Sequence, residues 1–251
     1  MTSKFELLPS NYENLNNIKM ICDIPLTSRP IMEPFLNKSF TYVICAPPGS
    51  GKTTFLFSML TTKGKNKIYY RVFKNIIYCC PNNSRSTVKD NPLADLGDEN
   101  IFDTLSNKVK ERIYAIKAEY MKNPDKHYNQ LLIIDDCTHS LKDNDVENML
   151  AELSNNRRHL NLSIIILTQY LTSIPASVRS QISCAIVFKP ANNKDLEKIK
   201  TEFVNMGTED FRLLCNFVFQ TKHDHLFINR ENNSMYKNLQ KIVLKDDKNN
   251  M

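Results

Sequence analysis

The 251-residue sequence predicts an α/β fold, a mostly parallel central sheet with helices on both faces. Three observations predict it. Short, near-continuous apolar runs recur along the chain and end in turn residues, as strands buried on both faces do. Between them lie segments with apolar residues at helical spacing. No Gly/Ser-rich or Pro-rich linker divides the chain, and a composition that is 41% hydrophobic suffices for one sizeable core.

Residues 1–37 are polar and proline-bearing and read as an N-terminal extension or strap; residues 38–243 read as one domain. The run Ser39–Ala46 is a buried strand closed by Pro47-Pro48-Gly49, and Lys52–Thr62 a helix. Lys74–Cys80 is a second strand, stopped by Pro81 and followed by a polar insertion over residues 82–99. From Asn100 to Lys122, Ile101, Leu105, Val109, Ile113, Ile116 and Tyr120 recur at helical spacing, and Asn123-Pro124 ends that helix. Leu131–Asp135 is a third strand, Asp145–Asn155 a helix, Leu162–Leu167 a fourth strand and Ala185–Phe188 a fifth. Helices are expected over Asn193–Phe203 and Thr208–Phe219, a late edge strand at His225–Asn229, and a disordered, charged tail over 244–251.

The charge balance, 33 Lys+Arg against 27 Asp+Glu, gives a formal +6. That suits a nucleic-acid partner or simply a solvated basic surface. The seven cysteines are odd in number and several sit in apolar runs. With no signal peptide and no long apolar run for a membrane span, they read as reduced core thiols of an intracellular protein. Their spacing gives no structural zinc site. His127, His139, His223 and His225 show no ligand spacing, and His223-Asp224-His225 reads as structural.

The chemistry concentrates where the first strand meets the first helix. Ala46-Pro47-Pro48-Gly49-Ser50-Gly51-Lys52-Thr53-Thr54 has the order strand, glycine loop, helix that a phosphate-binding P-loop requires. Glycines let the loop Pro48–Thr54 turn so that the successive N–H groups after the proline point toward phosphate oxygens, and the helix N-terminus adds its dipole. Lys52 is the residue that reaches the β- and γ-phosphates, and the Thr53 hydroxyl a magnesium ligand. Ala46 replaces the first glycine of the strict pattern.

A P-loop needs a carboxylate opposite it, and Asp135 stands at the end of Leu131-Leu132-Ile133-Ile134. Asp136 follows, where many ATPases carry Glu, and is the candidate base. The fourth strand ends in Thr168-Gln169; inserted between the first and third strands, it would define the RecA-like additional-strand class, with Gln169 as γ-phosphate sensor. Arg157-Arg158 before that strand and Arg179 after it are candidates for an arginine donated across a subunit interface.

With these pieces together, the chain resembles the viral genome-packaging ATPases of the FtsK/HerA superfamily. The resemblance rests on residues 46–53, on Leu131–Asp136 and above all on Asn156-Arg157-Arg158-His159 through Thr168-Gln169, continuing past Pro175 to Arg179. It implies a homo-oligomeric ring, expected to be a hexamer, that uses ATP and Mg²⁺ to drive double-stranded DNA into a capsid with a capsid or portal-vertex protein as partner. It places the protein in the host cell's virus factory, with the virion as a further location, and implies no membrane partner. Lys52, Thr53, Asp135, Asp136 and Gln169 take the family's nucleotide roles, with Arg158 the first choice of arginine finger and Arg179 the second. Lys63, Lys65 and Lys67 are a candidate DNA-gripping run or a solvated loop. A small-molecule kinase and a non-hydrolysing nucleotide switch are the alternative readings.

Overall fold

The computed structural model describes residues 24–123, 128–137 and 139–243. The N-terminal part of the expected extension, His127 and the expected disordered tail lie outside the described residues. Strands β1 (Thr41–Cys45), β2 (Asn75–Cys79), β3 (Ile101–Phe102), β4 (Gln130–Asp135), β5 (Leu162–Thr168), β6 (Cys184–Phe188), β7 (His225–Asn229), β8 (Ser234–Lys237) and β9 (Gln240–Lys241) form one sheet. Its order is β3-β2-β4-β5-β1-β6-β7-β8-β9. From β3 to β6 every pairing is parallel; β7, β8 and β9 return antiparallel.

The long apolar runs follow from burial on both faces. In β4, Leu132 and Ile134 point into one core and Leu131 and Ile133 into the other. In β5, Ile164 and Ile166 alternate with Ile165 and Leu167 in the same way. One face is covered by α3 (Asn107–Lys122), α4 (Asn144–Asn156) and α7 (Thr208–Val218), which contribute Val109, Ile113, Leu150, Leu153, Leu214 and Val218. The other is covered by α1 (Lys52–Thr61) and by an aromatic cluster of Phe35, Phe40, Tyr42, Tyr69 and Phe73. Between α1 and α7 also lie the short helices α2 (Asn82–Arg85), α5 (Ala176–Arg179) and α6 (Asn193–Lys198).

Residues 24–37 form no strand but pack as a strap on this second face. The Arg29 guanidinium donates to the Lys67 carbonyl at 3.2 Å and to that of Ile68, Phe35 meets Tyr69 and Phe227 edge-on, and the Asn229 amide donates to the Pro34 carbonyl at 3.0 Å.

Three expectations are corrected. The helix expected from Asn100 begins at Asn107: Ile101 and Phe102 instead pair with Tyr78 and Cys79 as β3. Ile101 and Leu105 fall in step with the helical period, but Ser106 sits in extended backbone at the helix start, and β-branched Ile101 suits a sheet edge. The strand at 225–229 is not an edge. A hairpin of β8 and β9 covers it, with turns made by Asn233, Asn238 and Leu239, all at positive φ. The helix expected over 193–203 is α6 for six residues and then a π-helical turn, Ile199–Val204, closed by the Asn205 N–H donating to the Lys200 carbonyl at 2.7 Å.

Candidate active site at the carboxyl end of the sheet

Strand order decides the site. Because β5 lies between β1 and β4, the three neighbouring strands end side by side, with Cys45 opposite Thr168 and Leu167 opposite Asp135. The P-loop after β1, Gln169 after β5 and Asp135 closing β4 therefore share one edge, where ligands bind in open α/β sheets.

The loop has the backbone its glycines imply. Gly49 and Gly51 adopt φ of 70° and 99°, the left-handed region that favours glycine. Ala46 is fully buried, its φ is negative, and its N–H donates to the Thr168 carbonyl at 3.0 Å. That position needs a small residue, and alanine meets the need. Pro48 and Gly49 are exposed, Ser50 is buried, and the Ser50 N–H donates to the Pro47 carbonyl at 3.3 Å. Lys52, Thr53 and Thr54 form the first turn of α1, whose N-terminus has no side-chain cap and no acidic residue. Its orphan N–H groups are thus open to an anion.

Lys52 Nζ lies 3.9 Å from Asp136 Oδ1. Asp136 turns the chain at φ 54°, a left-handed conformation aspartate tolerates better than most residues, and its side chain is about one-third exposed. Asp135 is 4% exposed, and its Oδ1 has no hydrogen-bond partner. Burial, and then the charge of Asp136, push its carboxyl up to about 6, with Lys52 opposing. A buried, unpartnered carboxylate oxygen beside a phosphate loop fits a divalent cation, with the Thr53 hydroxyl as its companion.

Thr168 and Gln169 separate in role. The Thr168 hydroxyl is engaged with the Tyr170 carbonyl at 3.0 Å and the Ser173 hydroxyl at 2.8 Å, so it holds the turn. Gln169 is half-buried and its side chain makes no hydrogen bond among the described residues.

The two candidate arginines part company. Arg179 is 8% exposed; its Nε and Nη2 donate to the Glu202 carboxylate at 2.8 and 3.1 Å, and its Nη1 to the Ile174 carbonyl. It is committed to holding α5 against the π-helical turn. Arg158 is exposed in the turn before β5, at the end of the sheet away from the P-loop. Seven residues of strand put about 23 Å between the two ends, so Arg158 is out of reach of its own chain's phosphate loop.

One part of the site escaped the sequence. Strand β7 runs antiparallel, so its first residue, His225, pairs with Phe188 at the carboxyl end of β6. The turn before it, residues 220–224, therefore arrives at the P-loop. His223 Nδ1 lies 3.1 Å from the Ser50 carbonyl, and a β-carbon on Gly49 would lie 3.5 Å from Lys222 Nζ. The reading of His223 as structural did not place it at the P-loop, because no local pattern reveals that the strand reverses.

These features define a class: a P-loop ATPase fold of the additional-strand type. A profile of the poxvirus A32 protein family matches residues 29–249, and the chain belongs to that family. Among curated relatives, the uncharacterized protein 015R of Frog virus 3 (isolate Goorha) is 26% identical over 204 residues, 74% of this chain and 59% of that protein. The DNA packaging protein OPG160 of Vaccinia virus (strain Copenhagen) is 31% identical over 157 residues, 60% of this chain and 53% of its own length. The chain thus spans a little over half the length of these relatives. Among solved structures, the genome packaging NTPase B204 of Sulfolobus turreted icosahedral virus 2, in complex with ATP-gammaS, superposes with a TM-score of 0.56 at 17% identity, over 83% of this chain and all of that one. EssC (ATPases 2 and 3) of Geobacillus thermodenitrificans reaches 0.52 at 13% identity, over 83% of this chain and 41% of that one. At such identities the likeness shows the fold alone.

Proposed function

We propose that this chain is an ATP-hydrolysing motor that translocates double-stranded viral DNA into a capsid. The observation that carries the reading is the convergence of the P-loop, Asp135-Asp136 and Gln169 on adjacent strand ends. Membership of the A32 family, and relatives named DNA packaging proteins, support the cargo.

In this reading the N–H groups of Pro48–Thr54 that remain after proline is discounted, together with Lys52, bind the triphosphate. Thr53 and Asp135 would hold Mg²⁺, which when bound neutralises phosphate charge and polarises the phosphoryl oxygens. Asp136 takes the proton of the attacking water, and its 3.9 Å approach to Lys52 is a contact that substrate would replace with phosphate. Gln169, just past the end of a strand hydrogen-bonded to both neighbours, reports the presence of the γ-phosphate to the turn at 170–173. Arg158 serves a neighbouring subunit's site in a homo-oligomeric, hexameric ring; Arg179 does not act there. A capsid or portal-vertex protein is the proposed docking partner, and the infected cell's virus factory the proposed place of work.

The test is ATP turnover by purified protein. Lys52→Ala is expected to lower it at least about a hundredfold, and Asp136→Asn to do so while ATP binding persists. Transfer of phosphate to a nucleoside in place of water would favour a kinase. ATP binding with unchanged residual turnover in Asp136→Asn would favour a switch.

A further inference from the structure

Within one subunit, the phosphate loop has few cations to offset a triphosphate. Lys52 faces Asp136, Arg179 is spent on Glu202, and Arg158 is at the far end of the sheet. Lys222 is different: it is exposed, has no carboxylate partner among the described residues, and its ammonium lies beside Gly49 in the centre of the loop. We propose that Lys222 is a second phosphate-contacting cation of the nucleotide site, supplied in cis by the turn between α7 and β7.

The turn is built to hold the backbone beside Lys222 in place. Asp224, buried at its base, accepts N–H groups from Gln220 at 3.0 Å and Thr221 at 2.7 Å through Oδ2, and the Asn238 amide at 2.6 Å through Oδ1. These bonds, the Asn238 amide first, hold its carboxyl down at about 2, so the anchor stays ionised across the physiological range. On one side of Lys222, His223 meets the Ser50 carbonyl. A little further on, the His225 ring packs edge-on against Phe55 of α1 at 4.9 Å and at a tilt against Phe188 at 5.2 Å. The turn is therefore tied both to the P-loop and to the helix that follows it. With the backbone already fixed, only the lysine side chain is left to be ordered when it meets a phosphate. Gly49 sits three residues before Lys52, in the stretch whose backbone wraps the phosphates, so the ammonium stands beside that stretch while Lys52 belongs to the helix that follows it.

The inference rests on the reading of the P-loop as a nucleotide site, and the test separates the two. ATP binding in the presence of Mg²⁺ would be measured calorimetrically for the wild type, Lys52→Ala, Lys222→Gln and Lys222→Arg, at low and high salt, with thermal melts to confirm equal folding. Lys222→Gln removes the charge and leaves a polar side chain one atom shorter; it is expected to weaken ATP binding about tenfold at low salt, with the deficit shrinking at high salt. Lys222→Arg is expected to stay within about threefold of wild type, since it restores the charge. ATP binding that depends on Lys52 but differs less than about twofold in Lys222→Gln, or an arginine variant as weak as the glutamine one, would overturn the role of Lys222 and leave the nucleotide site standing. A wild type that binds no ATP would bring down both.

Discussion

Asp135 carries a cost in stability. Its carboxyl is buried, one oxygen is unpartnered, and its folded value of about 6 lies above the ordinary 3.8. Between those values the folded state binds the extra proton, so this residue's contribution to stability falls as pH rises through the window. Asp135→Asn is therefore expected to stabilise the chain by about 1–3 kcal/mol above neutral pH in the presence of a chelator, while abolishing hydrolysis. Urea unfolding at pH values on either side of the window checks it; a variant no more stable than wild type at high pH would contradict the assigned strain. At this scale much was legible. The residues of the P-loop and Asp135 announce themselves because a turn, a helix start and a strand end each need particular side chains. The tolerance of Ala46 was explained only by its negative φ and its burial against Thr168. The commitment of Arg179 to Glu202 was not legible, since the two lie in different elements and only packing brings them together.

The Arg179–Glu202 pair belongs to the elements. It joins α5 to the π-helical turn Ile199–Val204, and with Lys198 it pulls the Glu202 carboxyl from 4.5 to about 2. The depressed carboxyl contributes stability that is complete above 4.5 and is lost as pH falls toward 2. Arg179→Ala is expected to cost about 1–3 kcal/mol at neutral pH, with the gap from wild type closing on acidification, and to leave ATP affinity unchanged. Denaturant titrations at neutral and acid pH, with ATP binding alongside, test this; loss of ATP affinity in a folded Arg179→Ala would restore Arg179 to the site. Elements were legible where period and termini agreed, as in β4, β5 and α4. They were misread where a period ran on past its element, as at Ile101 and Leu105, or where a short polar hairpin left little apolar signal, as in β8 and β9.

At the scale of the molecule, the placing of β5 between β1 and β4 gives the sheet its class and the site its three parts, and it was expected from the count and order of the strands together with the Thr168-Gln169 strand end. The antiparallel return of β7 was not, because strand direction is fixed by the connection and not by the strand's own residues; Lys222 went unseen, and His223 was not placed at the loop, for that reason. Arg158, about 23 Å of strand away from its own P-loop, is proposed to act across a subunit interface of the proposed ring. Arg158→Ala and Lys52→Ala are each expected to be inactive alone, with Arg158→Ala down by about a thousandfold, and a mixture of the two is expected to regain turnover through composite sites. No recovery on mixing would remove Arg158 from the mechanism. The most direct test of the central claim is ATP hydrolysis by the wild-type chain with and without double-stranded DNA, at protein concentrations high enough for assembly. The account predicts hydrolysis that DNA stimulates and that Lys52→Ala abolishes; hydrolysis indifferent to DNA, or none at any concentration, would contradict it.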